Sequence, residues 1–580
     1  MKNTIYIGLN DTFHDPAICI LNHKGEIIYC ESVERFLQYK RALGVNADAD
    51  FFIEHALNTI NYNAEDIVIG TAWSARHKNV GRFFSFLDFF NPYSNLFYVK
   101  YLIKKIPSSF FYIGNRAQSS FNSNGIGTFS YIKHVLKLNK VKLKKLSFNH
   151  HTAHILNALS VTEITKPSIG LVIDGQGEKG AISIFDISNN NQFEITKAFK
   201  SNFSLGYFYL IITELTGYDC ILKGEEWKVM GLSSYGKLNK ELYDALKKIF
   251  IVKGDKFYTS KLILTSEIKT LNQLVDEKSI SKEDIAKTGQ FLFEEYLVNI
   301  VEYCKKLLPN RTQLLISGGT ALNSLAMGTL SELEIFKTII TPNAPADDGN
   351  AIGAACLAYK KINGSFPKIN KNYRSPFTGT EIKGSEIEKY VKLSGLPFKK
   401  IENPEQAAAK LLHENKIIGW IQGKAEFGPR SLGNRSILAN PCYAENKNRI
   451  NAVVKFREAY RPFAPSILHE YGNDYFEKYS FTPYMEKTLT FKDTVRDKIP
   501  AVVHQDGTGR LQSVTEEMNS KYYTLISEFY KLSGVPVVVN TSYNVMGKPI
   551  VHNINDVMSV FFNSKIDAVF IGGFLIDRNN

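Results

Sequence analysis

Hydrophobic residues along this chain fall mostly in short runs separated by glycine- and aspartate-rich turns. Residues 4–9, 17–21 and 26–31 read as three strands, joined by Asn10-Asp11-Thr12-Phe13-His14-Asp15-Pro16 and by Asn22-His23-Lys24-Gly25. Residues 64–72 predict another strand. The opening design then returns. Ser168 to Asp174 and Gly180 to Asp186 predict a strand pair around Asp174-Gly175-Gln176-Gly177-Glu178. Two such hairpins, each followed by helix-forming segments, predict a duplicated α/β unit with a cleft between its halves.

The residues suited to chemistry stand where these elements begin or end. Asn149-His150-His151-Thr152-Ala153-His154 opens a run, continuing through Leu159, that reads as helix. His150 and His154 are four residues apart, so on a helix their imidazoles share one face and can grip one metal ion. Such an ion also wants carboxylates, and two strand ends offer them: Asp174, and the pair Asp347-Asp348 before a glycine-rich helix start. Leu314-Leu315-Ile316-Ser317-Gly318-Gly319 reads as a strand whose paired glycines let backbone N–H groups approach a phosphate. His14, in the first turn, sits on a loop between rigid strands, where function is often carried.

Lys361 to Phe377, with Gly364, Pro367 and Pro376, reads as a linker, and the character of the chain changes after it. Arginines gather in short motifs: Glu426 to Ser436 around Arg430 and Arg435; Lys455-Phe456-Arg457-Glu458; Arg461-Pro462-Phe463; and His504-Gln505-Asp506-Gly507-Thr508-Gly509-Arg510. Val537-Val538-Val539 then predicts a buried strand ending in Asn540, Thr541 and Ser542. Guanidinium forks, a lysine and hydroxyls suit a ligand with several phosphate or carboxylate oxygens.

Composition narrows the class. A length of 580 residues suggests about three or four structural units, and 44% hydrophobic with 22% charged residues describes an ordinary globular protein. The net charge of +13 spreads over scattered lysines, which suits anionic small molecules without any dedicated nucleic-acid motif. Six cysteines stand far apart with no Cys-x-x-Cys, which excludes a zinc ribbon or disulfide scaffold and predicts a reducing compartment. The chain opens on a strand rather than a signal peptide, and the aromatic stretch Phe83 to Tyr101 is too broken by polar residues to span a bilayer. The expectation is a cytoplasmic protein that binds neither membrane nor nucleic acid.

Taken together, these motifs resemble the O-carbamoyltransferases of antibiotic and nodulation-factor biosynthesis, over nearly the whole chain and most closely from Gly419 to Ile571. The resemblance implies two domains. Residues 1–368 would form a metal and nucleotide domain of the threonylcarbamoyl-transferase type, within the actin, heat-shock chaperone and sugar-kinase class. Residues 369–580 would form a YrdC-like α/β domain that makes carbamoyl-adenylate from ATP and carbamoyl phosphate. It implies a divalent ion, iron(II) with magnesium as the alternative, held by His150, His154, Asp174 and Asp347, and leaves Asp348 open in place of Asp347. It further implies His14 and Asp11 as catalytic, and nucleotide contacts from Lys40, Glu225, Lys228, Gly318, Gly319 and Asn323. In the C-terminal domain, ATP and carbamoyl phosphate would meet over Arg430, Arg435, Lys455, Arg457, Arg461, His504, Asp506, Arg510, Asn540, Thr541 and Ser542. The acceptor would be a small-molecule alcohol, and a homodimer is compatible with the sequence. Met327 stands where the family usually has asparagine, and the aromatic stretch 83–113 matches no family motif. Two other readings remain at this stage, a tRNA threonylcarbamoyl-type enzyme and an ATP-dependent sugar kinase or chaperone-like protein.

Overall fold

The computed structural model describes residues 4–10, 14–43, 45, 47, 50–61, 66–74, 142–188, 193–199, 204–220, 223–253, 256–259, 268–368 and 373–578. Asp11 and the aromatic stretch 83–113, both singled out above, lie outside the described residues. The chain divides into two compact units. One comprises Met1–Val33, Arg41–Leu322 and Glu334–Arg374; the other comprises Glu34–Lys40, Asn323–Leu333 and Ser375–Asn580. The crossing at Arg374 falls inside the expected linker, although a helix extends to Asn363 within that stretch. The two short exchanged segments have no counterpart in the sequence pattern.

The first unit contains two sheets of one design. β1 (Thr4–Asn10), β2 (Ala17–Leu21), β3 (Ile27–Ser32), β4 (Asp66–Thr71) and β5 (Lys142–Ser147) lie in the order β3-β2-β1-β4-β5. β6 (Ser168–Ile173), β7 (Ile182–Ile187), β8 (Phe193–Phe199), β9 (Gln313–Ser317) and β10 (Thr338–Ile340) lie in the order β10-β9-β6-β7-β8. In each sheet the first three strands form an antiparallel meander, and the other two run parallel to the first. This is the duplicated α/β unit expected from the repeated strand, turn and strand.

β2 and β6 are buried at every position, and β1 at all but its first. Such strands are covered on both faces, which is why they read as continuous apolar runs rather than alternating ones. The lysine cluster near residue 142 becomes β5, at the end of its sheet, with Lys142, Lys144 and Lys145 exposed. Charged side chains there discourage further strand pairing.

One helix, Asn350–Asn363, sets the geometry of the first unit. Its run of small residues packs so closely that a Cβ on Gly8 would lie 1.9 Å from the Ala351 carbonyl oxygen. A Cβ on Gly353 would lie equally close, 1.9 Å, to the carbonyl oxygen of Ala153 on the histidine helix (His150–Leu159). Nothing larger than hydrogen fits at these contacts. The two helices therefore touch backbone to backbone, and the turn before Asn350 is brought to the face that carries His150 and His154.

The second unit is built on nine strands: β11 (Lys399–Lys400), β12 (Ile418–Ile421), β13 (Arg435–Ala439), β14 (Ala464–Leu468), β15 (Lys487–Thr490), β16 (Thr508–Val514), β17 (Val537–Ser542), β18 (Ala568–Ile571) and β19 (Phe574–Asp577). Their order is β11-β19-β18-β12-β13-β17-β14-β16-β15. Helices Pro404–His413 and Ser520–Ser533 pack on each other, and Trp420, Tyr522, Tyr543 and Val537 to Val539 lie in the core. Burying each large apolar side chain contributes about 1.5–3 kcal/mol. Among the described residues no helix is long and apolar enough to cross a membrane.

Candidate metal centre and cation cluster

The histidine helix begins where Asn149 caps it, its side chain accepting the Thr152 N–H. The Glu178 carboxylate adds a second cap, accepting the backbone N–H of His150 at 2.9 Å and the Asn149 amide at 2.6 Å. A carboxylate at a helix N-terminus is favoured by the unpaired N–H groups and the helix dipole. From this anchored turn, His150 and His154 direct Nε2 at two carboxylates. His150 Nε2 lies 3.2 Å from Asp174 Oδ2 and 3.3 Å from Asp347 Oδ1. His154 Nε2 lies 3.3 Å from the same Asp347 oxygen and 3.8 Å from Asp174 Oδ2. All four donor atoms fall within 4.8 Å of one another.

Backbone contacts decide the role of each acid. Asp174 ends β6 and receives the Gly319 N–H on Oδ1 at 3.0 Å, leaving Oδ2 to the histidines. Gly318 takes φ +98 at this turn, and a Cβ there would lie 2.2 Å from the Ile173 carbonyl oxygen. Asp348 accepts the Gly349 N–H at 3.0 Å, whereas Asp347 faces the imidazoles. Of the two acids, Asp347 is the one that lies beside the imidazoles. His151, one position on, turns away and pairs with the Ser183 hydroxyl at 2.7 Å.

The electrostatics describe two imidazoles and two carboxylates that hold each other charged. Burial alone would lower the pKa of His150, but Asp347 and Asp174 outweigh it and raise it to about 10. His154 is raised in the same way against burial, by its contacts with Asp174 and Asp347. Burial works against ionisation of Asp174, but its two histidine partners hold it well below the usual carboxylate range. Asp347 is likewise lowered: burial and Asp174 oppose its charge, and His150 and His154 prevail. His151, desolvated and beside His150, is pushed down to about 3.

The donor set fits a divalent ion. His154 Nε2 and Asp347 Oδ1 are buried and face each other at 3.3 Å without a hydrogen bond of good geometry. An unsatisfied buried polar atom costs about 1–3 kcal/mol, and a cation among these four groups would satisfy them together. Trp73 stacks on the His150 ring with centroids 4.2 Å apart, which holds its plane. Glu178 and Trp73 were not foreseen. Glu178 stands in the turn that follows Asp174, but no local pattern says which helix it caps.

His14 lies in the first turn, its Nδ1 2.8 Å from Asp15 Oδ2. Burial opposes its protonation, but Asp15 overcomes this and raises its pKa above the ordinary value, with Asp347 adding a smaller contribution. The turn is pinned by the Asn10 amide on the Asp15 carbonyl and by the Asp15 N–H on the Arg41 carbonyl.

Of the residues expected at a nucleotide, Glu225 and Lys228 pair with each other at 2.8 Å, and Gly318 and Gly319 support Asp174. Lys40 and Asn323 pack with the second unit, where the Asn323 side chain caps helix Ser324–Glu332. Met327 is buried in that helix.

In the second unit Arg430, Arg457, Arg461 and Arg510 form one half-buried cation cluster. Burial first, then the charges of Arg430, Arg457 and Arg461, push Arg510 well below the usual guanidinium range. Burial lowers Arg430 to about 10. Arg457 is lowered by burial and by Arg461, with Glu458 opposing; its Nε donates to Asn451 Oδ1 at 2.6 Å, and it stacks over Phe463. Lys455 donates to the Ser542 carbonyl at 2.8 Å and to the Asn544 carbonyl at 3.0 Å. It too is lowered, by burial and then by Arg457, Arg461 and Lys40. His504 bonds Thr508, which bonds Asp506, and burial lowers the imidazole to about 4.

Two expected members stand apart. The Arg435 guanidinium is fully buried and donates to the carbonyls of Gln422, Asn434, Thr380 and Gly423. Asn540 is buried in a polar network with Ser431, Ser466 and Gln512. Both serve the backbone and neighbouring side chains. Thr541 and Ser542 end β17 half-buried, the latter against Lys455.

The chain thus joins a duplicated α/β unit holding a histidine and aspartate cluster to a second, cation-rich α/β unit. The family described as Carbamoyltransferase N-terminus matches residues 5–356, and that described as Carbamoyltransferase C-terminus matches residues 409–578. The chain belongs to the carbamoyltransferase family of enzymes. It is 31% identical over 452 residues to nodulation protein NolNO of Sinorhizobium fredii, covering 76% of this chain and 65% of that relative. It is 31% identical over 441 residues to nodulation protein NolO of Bradyrhizobium diazoefficiens, covering 74% and 79% respectively. Among solved structures, an activator of 2-hydroxyisocaproyl-CoA dehydratase from Clostridium difficile aligns at 14% identity and TM-score 0.33, over 62% of this chain and 96% of that one.

Proposed function

We propose that this enzyme is an ATP-dependent O-carbamoyltransferase acting on a hydroxyl of a small molecule. In the second unit, water cleaves carbamoyl phosphate to carbamate and phosphate. A carbamate oxygen then attacks the α-phosphorus of ATP, pyrophosphate leaves, and carbamoyl-AMP results. The two co-substrates are anions that repel by about 4 kcal/mol per charge pair at 4 Å near a protein surface. Arg430, Arg457, Arg461, Arg510 and Lys455 offset this repulsion and orient the reacting groups. The charge excess of this half-buried cluster carries the reading.

Transfer belongs to the first unit. The acceptor oxygen forms a bond to the carbamoyl carbon, the bond to the adenylate oxygen breaks, and AMP leaves. His14, oriented by Asp15, takes the proton that the acceptor hydroxyl loses. His150, His154, Asp174 and Asp347 would hold a divalent ion that supplies Lewis acidity toward a phosphate oxygen. Two imidazoles with two carboxylates suit iron(II) better than magnesium, which prefers an all-oxygen shell.

Incubation of the protein with ATP, carbamoyl phosphate and a divalent ion tests this directly. AMP and pyrophosphate are the expected products, and ADP in their place would favour a kinase-like reaction. Mass spectrometry of candidate alcohols added to the same mixture identifies the acceptor by the mass of one carbamoyl group.

A further inference from the structure

Arg35 stands on the short helix Val33–Leu37, within the segment Glu34–Lys40 that packs with the second unit. It is 2% exposed. Its guanidinium donates to the carbonyl of Glu426 through one terminal nitrogen and to the carbonyl of Gly428, at 2.6 Å, through the other. Those carbonyls begin the loop that carries Arg430. The far side of the loop is gathered by the buried Glu426 carboxylate, which accepts the N–H groups of Leu432 and Asn434. Arg430 therefore projects from a span fastened at both ends, by Arg35 on its carbonyls and by Glu426 on its N–H groups. The same segment holds a second loop: Gln38 donates to the Ile550 carbonyl at 3.1 Å, Lys548 donates to the Gln38 carbonyl at 3.3 Å, and Phe36 packs edge-on against His552.

We propose that Arg35 is a positioning residue for anion binding in the second unit, acting through Arg430. The segment around it would then be part of that unit's working machinery although it precedes the unit's main run, which begins at Ser375, by more than three hundred residues. A guanidinium fork suits two carbonyls two residues apart, and a lysine ammonium reproduces the charge without the fork. The inference rests on the adenylate-forming reading for its consequence in turnover, but not for its consequence in binding.

The test uses the 580-residue chain and inorganic pyrophosphate as the binding probe, measured by calorimetry for wild type, R35K, R35A, R430A and R35A/R430A. Thermal melting accompanies each variant to confirm folding. R35A is expected to weaken pyrophosphate binding about tenfold or more, R35K by less, and the double variant to bind no worse than R430A. Pyrophosphate-dependent affinity unchanged in R35A, or losses that multiply in the double variant, would overturn the proposal, because Arg35 would then not act through Arg430. In turnover, R35A is expected to raise KM for carbamoyl phosphate in AMP formation and to leave carbamoyl transfer from supplied carbamoyl-adenylate intact. Failure of wild type to form AMP would sink the adenylate reading alone, since pyrophosphate binding still judges Arg35.

Discussion

Gly353→Ala probes the contact on which the candidate metal centre is built. Alanine is the better helix former by about 0.8–1 kcal/mol, so propensity alone predicts a stabilised helix. Packing predicts the opposite. The new methyl would lie 1.9 Å from the Ala153 carbonyl oxygen, a backbone atom that cannot rotate away. Restoring a carbon–oxygen distance of about 3.3 Å requires the two helices to part by roughly 1.4 Å. Overpacking of this kind typically costs about 1–3 kcal/mol, which exceeds the propensity gain. The displacement separates His150 and His154 from Asp347, whereas a metal site tolerates only about 0.2 Å in its distances. Denaturant unfolding should therefore show a net loss of up to about 2 kcal/mol, and anaerobic calorimetry should show iron(II) affinity reduced tenfold or more. Gly384→Ala, where nothing lies within 4 Å of the added carbon, is the control and should change neither. If Gly353→Ala unfolds and binds iron(II) as wild type does, the close helix contact does not set the place of Asp347, and the reasoning fails.

Other outcomes follow from the proposed division of labour. His14→Asn should leave AMP-forming activation intact and abolish transfer to the acceptor; equal loss of both half-reactions, assayed separately, would count against His14 as the base. Because the base form of His14 exists only above its raised pKa, transfer should accelerate as pH climbs through a value above 6.5. Asp15→Asn removes the partner that raises it, so that limb of the pH–rate profile should move to lower pH, and an unmoved limb would assign it to another group. Arg457→Ala should abolish carbamoyl-phosphate-dependent pyrophosphate release, and near-normal release would remove that arginine from the anion site.

What the sequence determined by itself was whatever short-range geometry encodes. The four-residue spacing of His150 and His154 places two ligands on one helical face whatever packs against it. The repeat of strand, turn and strand announced the duplication, because a strand covered on both faces needs an unbroken apolar run. The arginine motifs after the linker announced a cluster of cationic side chains. Tertiary structure decided the rest, since the partner that satisfies or neutralises a group usually lies far along the chain. Asp347 and Asp348 are adjacent and chemically alike; one N–H from Gly349 turns the second away. Arg435 and Arg430 share a motif, and only the folded chain shows that four backbone carbonyls occupy Arg435. Arg35 and Glu178 carry no local signature, because a donor's or an acceptor's use is set by which backbone groups the folded chain leaves beside it.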